Sequence, residues 1–113
     1  MLFQNMIKGG KGMFRGTTPT LLLKLSTTVS LENLAELWVT FKDQTTEITK
    51  TLSDVTIDDA EKTITVRLSQ QDTLSLSEHS CNVQARFKTQ QGDAYATDIS
   101  RVDVGMILKE GVI

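Results

Sequence analysis

Lys62-Thr63-Ile64-Thr65-Val66-Arg67-Leu68 alternates without a break: Ile64, Val66 and Leu68 fall on one side of an extended backbone, Thr63, Thr65 and Arg67 on the other. A period of two, rich in β-branched residues, marks a strand with one dry and one wet face. Before it, Asp58-Asp59-Ala60-Glu61 is a tight acidic connection, and Val55 and Ile57 alternate ahead of that. Two short strands around an acidic turn predict a hairpin.

The same period spreads in both directions. Leu21, Leu23 and Leu25 share a face within Thr20 to Leu25. A turn through Ser30–Asn33 leads into a strand from about Ala35 to Lys42, with Leu37, Val39 and Phe41 on one face. The Leu31, Leu34, Leu37 spacing also admits a single helical turn there. Asp43-Gln44-Thr45 predicts a turn and Thr46 to Leu52 a further strand, whose threonines suit a half-exposed sheet. Ser69, with Asp72 three residues on, resembles a capping box and predicts a one-turn helix crossing between sheets, closed onto the core by Leu74 and Leu76. Cys81, Val83, Ala85 and Phe87 alternate with Asn82, Gln84, Arg86 and Lys88, and Gln90-Gln91-Gly92-Asp93 predicts the next hairpin turn. Ala94 to Val104 is a long last strand whose alternation is unclear in the middle, which is compatible with a bulge. About seven strands at spacings of roughly ten residues predict an all-β chain: an antiparallel immunoglobulin-like β-sandwich with at most one short helix, a small barrel being the alternative.

The 113 residues fit one domain, and with 5% aromatic residues the core must come from Leu, Val and Ile. The net charge of −2, with scattered Lys and Arg, disfavours nucleic acid as a partner. No apolar run approaches the roughly 18 residues of a membrane span, and the start lacks the apolar core of a signal peptide. The single cysteine, Cys81, forms no internal disulfide and fits folding in a reducing cytosol.

The segment 1–12 differs in character, with Lys8-Gly9-Gly10-Lys11-Gly12 at its end and no strand alternation. Codons for Lys8-Gly9-Gly10 can encode a ribosome-binding sequence ahead of Met13. Two readings stand: a flexible arm, or a reading frame extended upstream of a start at Met13.

Candidates for chemistry are few. His79 and Cys81 form His-x-Cys, but tetrahedral zinc needs about four ligands, and Cys81 falls on the apolar side of its strand, where a thiol is inert. Asp54, Asp58, Asp59 and Glu61 lack calcium-loop spacing and read as a soluble hairpin tip. Gly9-Gly10-Lys11-Gly12 lacks the strand, helix and Gly-Lys-Ser/Thr of a phosphate loop. No catalytic, metal or cofactor-binding residue is assigned. Interaction is the expected function. Trp38 lies opposite Leu37, Val39 and Phe41, so it is either core, with those three packing elsewhere, or an outward anchor, and full or partial burial is the expectation. Tyr95 is the other aromatic platform. In the tail, Met106, Ile107, Leu108, Val112 and Ile113 are five apolar residues among the last eight, expected to dock on the chain's own sandwich or on a neighbouring subunit.

Several stretches, Phe14-Arg15-Gly16-Thr17-Thr18-Pro19-Thr20, Thr63 to Leu74, Val83-Gln84-Ala85-Arg86 and Val104 to Ile113, resemble a group of small uncharacterised prophage proteins of Gram-positive gut bacteria. The matching stretches span nearly all of the chain from Met13 onward. The layout more distantly resembles the N-terminal β-sandwich domain of phage upper baseplate proteins, without the helical linker and receptor-binding head that follow it there. The resemblance implies a non-enzymatic virion structural protein of baseplate, tail or capsid surface. Its implied partners are other phage structural proteins and copies of itself in a symmetric particle, with no nucleic acid and no membrane, in the host cytoplasm during assembly and then the virion. A carbohydrate- or host-surface-binding module is the alternative.

Overall fold

A computed structural model describes residues 12–113 and, for the backbone, residues 5–8. Ten strands are described: β1 Asn5–Lys8, β2 Met13–Phe14, β3 Thr20–Leu25, β4 Glu36–Lys42, β5 Glu47–Thr51, β6 Val55–Asp58, β7 Thr63–Arg67, β8 Ser80–Lys88, β9 Ala94–Ala96 and β10 Ser100–Gly105. One sheet has the order β1-β3-β7-β6; the other runs β2-β10-β8-β4-β5, with β9 also on β8. In immunoglobulin lettering the first is A-B-E-D, and the second carries G-F-C with one further strand beside C. The two-sheet sandwich is therefore the observed fold, and all seven expected strands are present. The count rises because β1 and β2 precede them and the last strand is split in two. One pairing departs from the antiparallel rule: β2 runs parallel to β10, with Met13 opposite Val104 and Phe14 opposite Gly105.

Of the segment 1–12, residues 1–4 and 9–11 lie outside the described residues, Gly9-Gly10-Lys11 among them. Asn5–Lys8, where no alternation is legible, pairs antiparallel with β3.

Alternation puts one face of each sheet inside. Leu23, Leu37, Val39, Phe41, Ile64, Val66, Leu68 and Val83 are fully buried and come from both sheets. The turn before β4 is made at Glu32 and Asn33 instead of a helical turn, and it buries Leu31 and Leu34. The helix α1, Gln70–Ser75, crosses from β7 to β8. Its capping box is present: Asp72 N donates to Ser69 Oγ (3.0 Å) and Ser69 N to Asp72 Oδ2 (2.9 Å). A 3-10 turn, Leu52–Asp54, links β5 to β6, and Asp54 Oδ2 accepts from both Thr51 N (2.9 Å) and Thr51 Oγ1 (3.2 Å) at its start.

The register slip in the last strand is a bulge. Arg86 pairs with Ala96 and Val83 with Ser100, so Thr97, Asp98 and Ile99 oppose only Gln84 and Ala85. The extra residue brings Tyr95 and Thr97 inward on one side of it and Val102 and Val104 on the other. Thr97 closes the gap: its N–H donates to Ala85 O (2.9 Å), and its Oγ1 accepts from Ala85 N (3.0 Å).

The pairings define two ends. Leu25 N donates to Lys62 O (2.8 Å) and Ala35 N to Lys88 O (2.8 Å), which gathers the β3–β4 loop, the β6–β7 turn and the β8–β9 turn at one end. The β4–β5 turn, α1, β2 and the chain beyond β10 gather at the other: Asp43 binds Ser77, and Arg15 binds Leu76.

Candidate functional site

The tail end is built around Arg15. Its Nε donates to Leu76 O (2.7 Å) and its Nη2 to Leu74 O (2.7 Å), so the guanidinium takes carbonyls at the C-terminal end of α1. Its Nη1 pairs with Glu110 in the tail. The tail is held again at its last residue, where Ile113 N donates to Gln70 Oε1 (2.9 Å) and Gln70 Nε2 to Ile113 O (3.2 Å). Met106 and Val112 are exposed, and Leu108 and Ile113 are fully so; Ile107 alone is half-buried, beside Gly16. The tail thus docks its own backbone, the Glu110 carboxylate and one apolar side chain on the sandwich and leaves four apolar side chains facing water. Phe14 adds a fifth at the edge strand β2, packed so tightly on Gly105 that a Cβ there would sit 2.5 Å from its ring.

Beneath the tail, polar side chains knit α1 to the β4–β5 turn. Asp43 Oδ1 accepts from Thr45 N (2.9 Å) and Thr46 N (2.8 Å), and its Oδ2 from Ser77 N (2.9 Å). Burial raises the Asp43 pKa, but these donors, Ser77 first, outweigh it and hold the carboxyl below its usual range. Asp72 behaves alike: burial is opposed by Lys50 Nζ at 2.8 Å and by Ser69, and the net shift is downward. Thr73 is fully buried and donates to Thr17 O (2.9 Å).

Trp38 stands on the outer face of the larger sheet, 45% exposed, with the Arg86 guanidinium 5.5 Å from its ring centroid. Leu37, Val39 and Phe41 take the core, so Trp38 is on the outer face and exposed, a correction to the burial expected of it. Tyr95 pairs with Phe87 on the inner side, ring centroids 5.5 Å apart. The two aromatics therefore belong to opposite faces and do not form one flat platform. They do line a common cleft of about 300 Å³ at the rim of the sheet.

The candidates for chemistry are drawn into structure. The Cys81 thiol is 2% exposed, and burial, aided by the Asp43 charge, pushes its pKa up to about 11. His79 is exposed, and its backbone carbonyl accepts from Val104 N (2.7 Å). The acidic cluster is divided among separate local roles. Asp54 accepts from Thr51 N (2.9 Å), Asp58 from Glu61 N (3.2 Å), and Asp59 Oδ1 from both Leu31 N (2.6 Å) and Lys62 Nζ (2.6 Å). Among the described residues no three His, Cys, Asp or Glu side chains are grouped to hold a metal, and no helix is long and apolar enough to cross a membrane.

Sequence reasoning missed Arg15 and Gln70 as the groups that hold the tail. An arginine shows its carbonyl partners only after folding. No protein-family model matches the chain, and no curated protein matches it.

Proposed function

We propose that this chain is a non-enzymatic structural protein of a bacteriophage particle, a baseplate, tail or capsid-surface component that packs through its tail end. The observation carrying the packing surface is the distribution of exposed large apolar side chains. Phe14, Met106, Leu108, Val112 and Ile113 all lie on β2 and the tail, leaving Trp38 and Ile99 as the others among the described residues. Apolar groups gathered on one end and backed by a fixed main chain favour association. Burying one leucine-sized side chain contributes about 1.5–3 kcal/mol. Repetition in a symmetric particle makes modest single contacts sufficient. The assignment to a phage rests on the resemblance of Phe14 to Thr20, Thr63 to Leu74, Val83 to Arg86 and Val104 to Ile113 to prophage proteins. The partners are other phage structural proteins and copies of this chain, met in the host cytoplasm and retained in the virion.

The test is mass spectrometry of particles purified after induction of the lysogen that carries the gene. Stoichiometric amounts of this chain support the reading. Its absence from particles that contain their other structural proteins refutes it.

A further inference from the structure

At the end away from the tail, the β3–β4 loop and the β8–β9 turn enclose a cleft of about 420 Å³. Its walls present Glu32, Asn33, Gln90, Gln91 and Asp93, with Tyr95 at the base of the turn. At other turns and caps, Asp43, Asp54, Asp58, Asp59 and Asp72 each accept backbone hydrogen bonds. The five cleft side chains engage no other described residue and are exposed. The loop that carries two of them is nevertheless fixed. Asp59 holds Leu31 N, Lys62 Nζ donates to Val29 O (3.0 Å), and Asn33 adopts a left-handed backbone at φ 53°. On the other side, Thr89 N donates to Asp93 O (2.9 Å) and Gly92 N to Thr89 O (3.0 Å), which sets the turn. The cleft is thus preformed, and the side chains of Glu32, Asn33, Gln90, Gln91 and Asp93 are not committed to the fold among the described residues.

We infer that this cleft is a binding site for a neutral oligosaccharide. No cation lines it, which disfavours phosphate, nucleic acid and acidic glycans. Carboxylates accept from sugar hydroxyls, while the amides of Asn33, Gln90 and Gln91 both donate and accept, as a polyhydroxylated ligand requires. Tyr95 also borders the separate cleft that holds Trp38, Arg86 and Lys88, so a ligand longer than the loop cleft meets Trp38 as an apolar face beyond Tyr95. Peptide recognition would call for an open strand edge, an apolar groove or an arginine cluster, none of which these loops supply. The inference stands apart from the packing role, because the two surfaces are at opposite ends.

The experiment is amide and indole NMR of the full chain titrated with maltotetraose, cellotetraose, chitotetraose and mannotetraose. At least one should give saturable millimolar shifts at residues 30–33 and 89–95 and at the Trp38 indole. Glu32→Ala, Gln91→Ala and Asn33→Gly, the last keeping the left-handed backbone, should each weaken that binding by up to about tenfold with unchanged spectra elsewhere. The inference is overturned if none of the four sugars gives saturable shifts. Shifts confined to the tail end, or binding indifferent to all three substitutions, overturn it equally.

Discussion

Cys81 shows how burial decides what a residue can do. With a pKa of about 11, only about one thiol in a thousand is ionised near pH 8, and the sulfur is 2% exposed. A disulfide thiol reagent at pH 8 should leave the native chain unlabelled and label it completely in denaturant. Rapid native labelling would mean that β8 opens. Asp43 makes the opposite case. Its folded pKa lies below the ordinary 3.8, so its stabilising effect is complete above that value and lost as the pH falls through the lower folded value. Asp43→Asn should lower the urea midpoint at neutral pH and shrink the further loss on going to pH 3, since the variant has no charge to neutralise there. Equal acid sensitivity in the two proteins would assign that loss to other carboxylates.

At the scale of the element, the bulge between β9 and β10 and the cap of α1 are the features a single substitution tests best. Thr97→Val keeps the side-chain shape but strands the buried Ala85 N–H, which costs about 1–3 kcal/mol. Thr97→Ser keeps the acceptor and should recover most of that in urea unfolding. If valine and serine behave alike, the hydroxyl does not hold the bulge. Ser69→Ala removes one half of the capping box and should cost about 1 kcal/mol in the same assay. The cap was legible in the sequence from Ser69 and Asp72, whereas for the bulge the sequence showed only an unclear register in the middle of Ala94 to Val104, and its position came from the pairing. Strand β1 was not legible, because Asn5–Lys8 pairs through backbone groups without an alternating pattern. Nor was β2, two residues long and held by parallel pairing to β10.

Over the whole molecule the sandwich has two unlike ends on a body about 47 Å long. Polar groups at the tail end fix the chain's own backbone, and apolar ones face outward. At the loop end the core is closed beneath an uncommitted polar cleft. Deleting residues 106–113 should leave the strands folded, as judged by circular dichroism and by amide spectra of the loop end, and should abolish incorporation into particles. Normal incorporation of the truncated chain would rule out the tail as the packing surface. Arg15→Ala removes the bridge between α1 and Glu110, so carboxypeptidase should trim the tail faster than in the parent chain. Surfaces this far apart should respond independently, so tail deletion is expected to leave any loop-end binding unchanged.

By itself, the sequence determined what repeats every two residues: the strands, the inward sets from Leu21 to Val104, and the two-sheet class that must bury them. It also marked the turns and the cap, because these depend on residues close in the chain. Only the tertiary structure decided which face Trp38 takes, where Arg15 finds its carbonyls and which polar loops stand together. Those outcomes turn on contacts between residues as much as 95 positions apart, such as Arg15 and Glu110, which no local pattern encodes. The alternation allowed Trp38 either side of β4, and the need to bury Leu37, Val39 and Phe41 together put it outside.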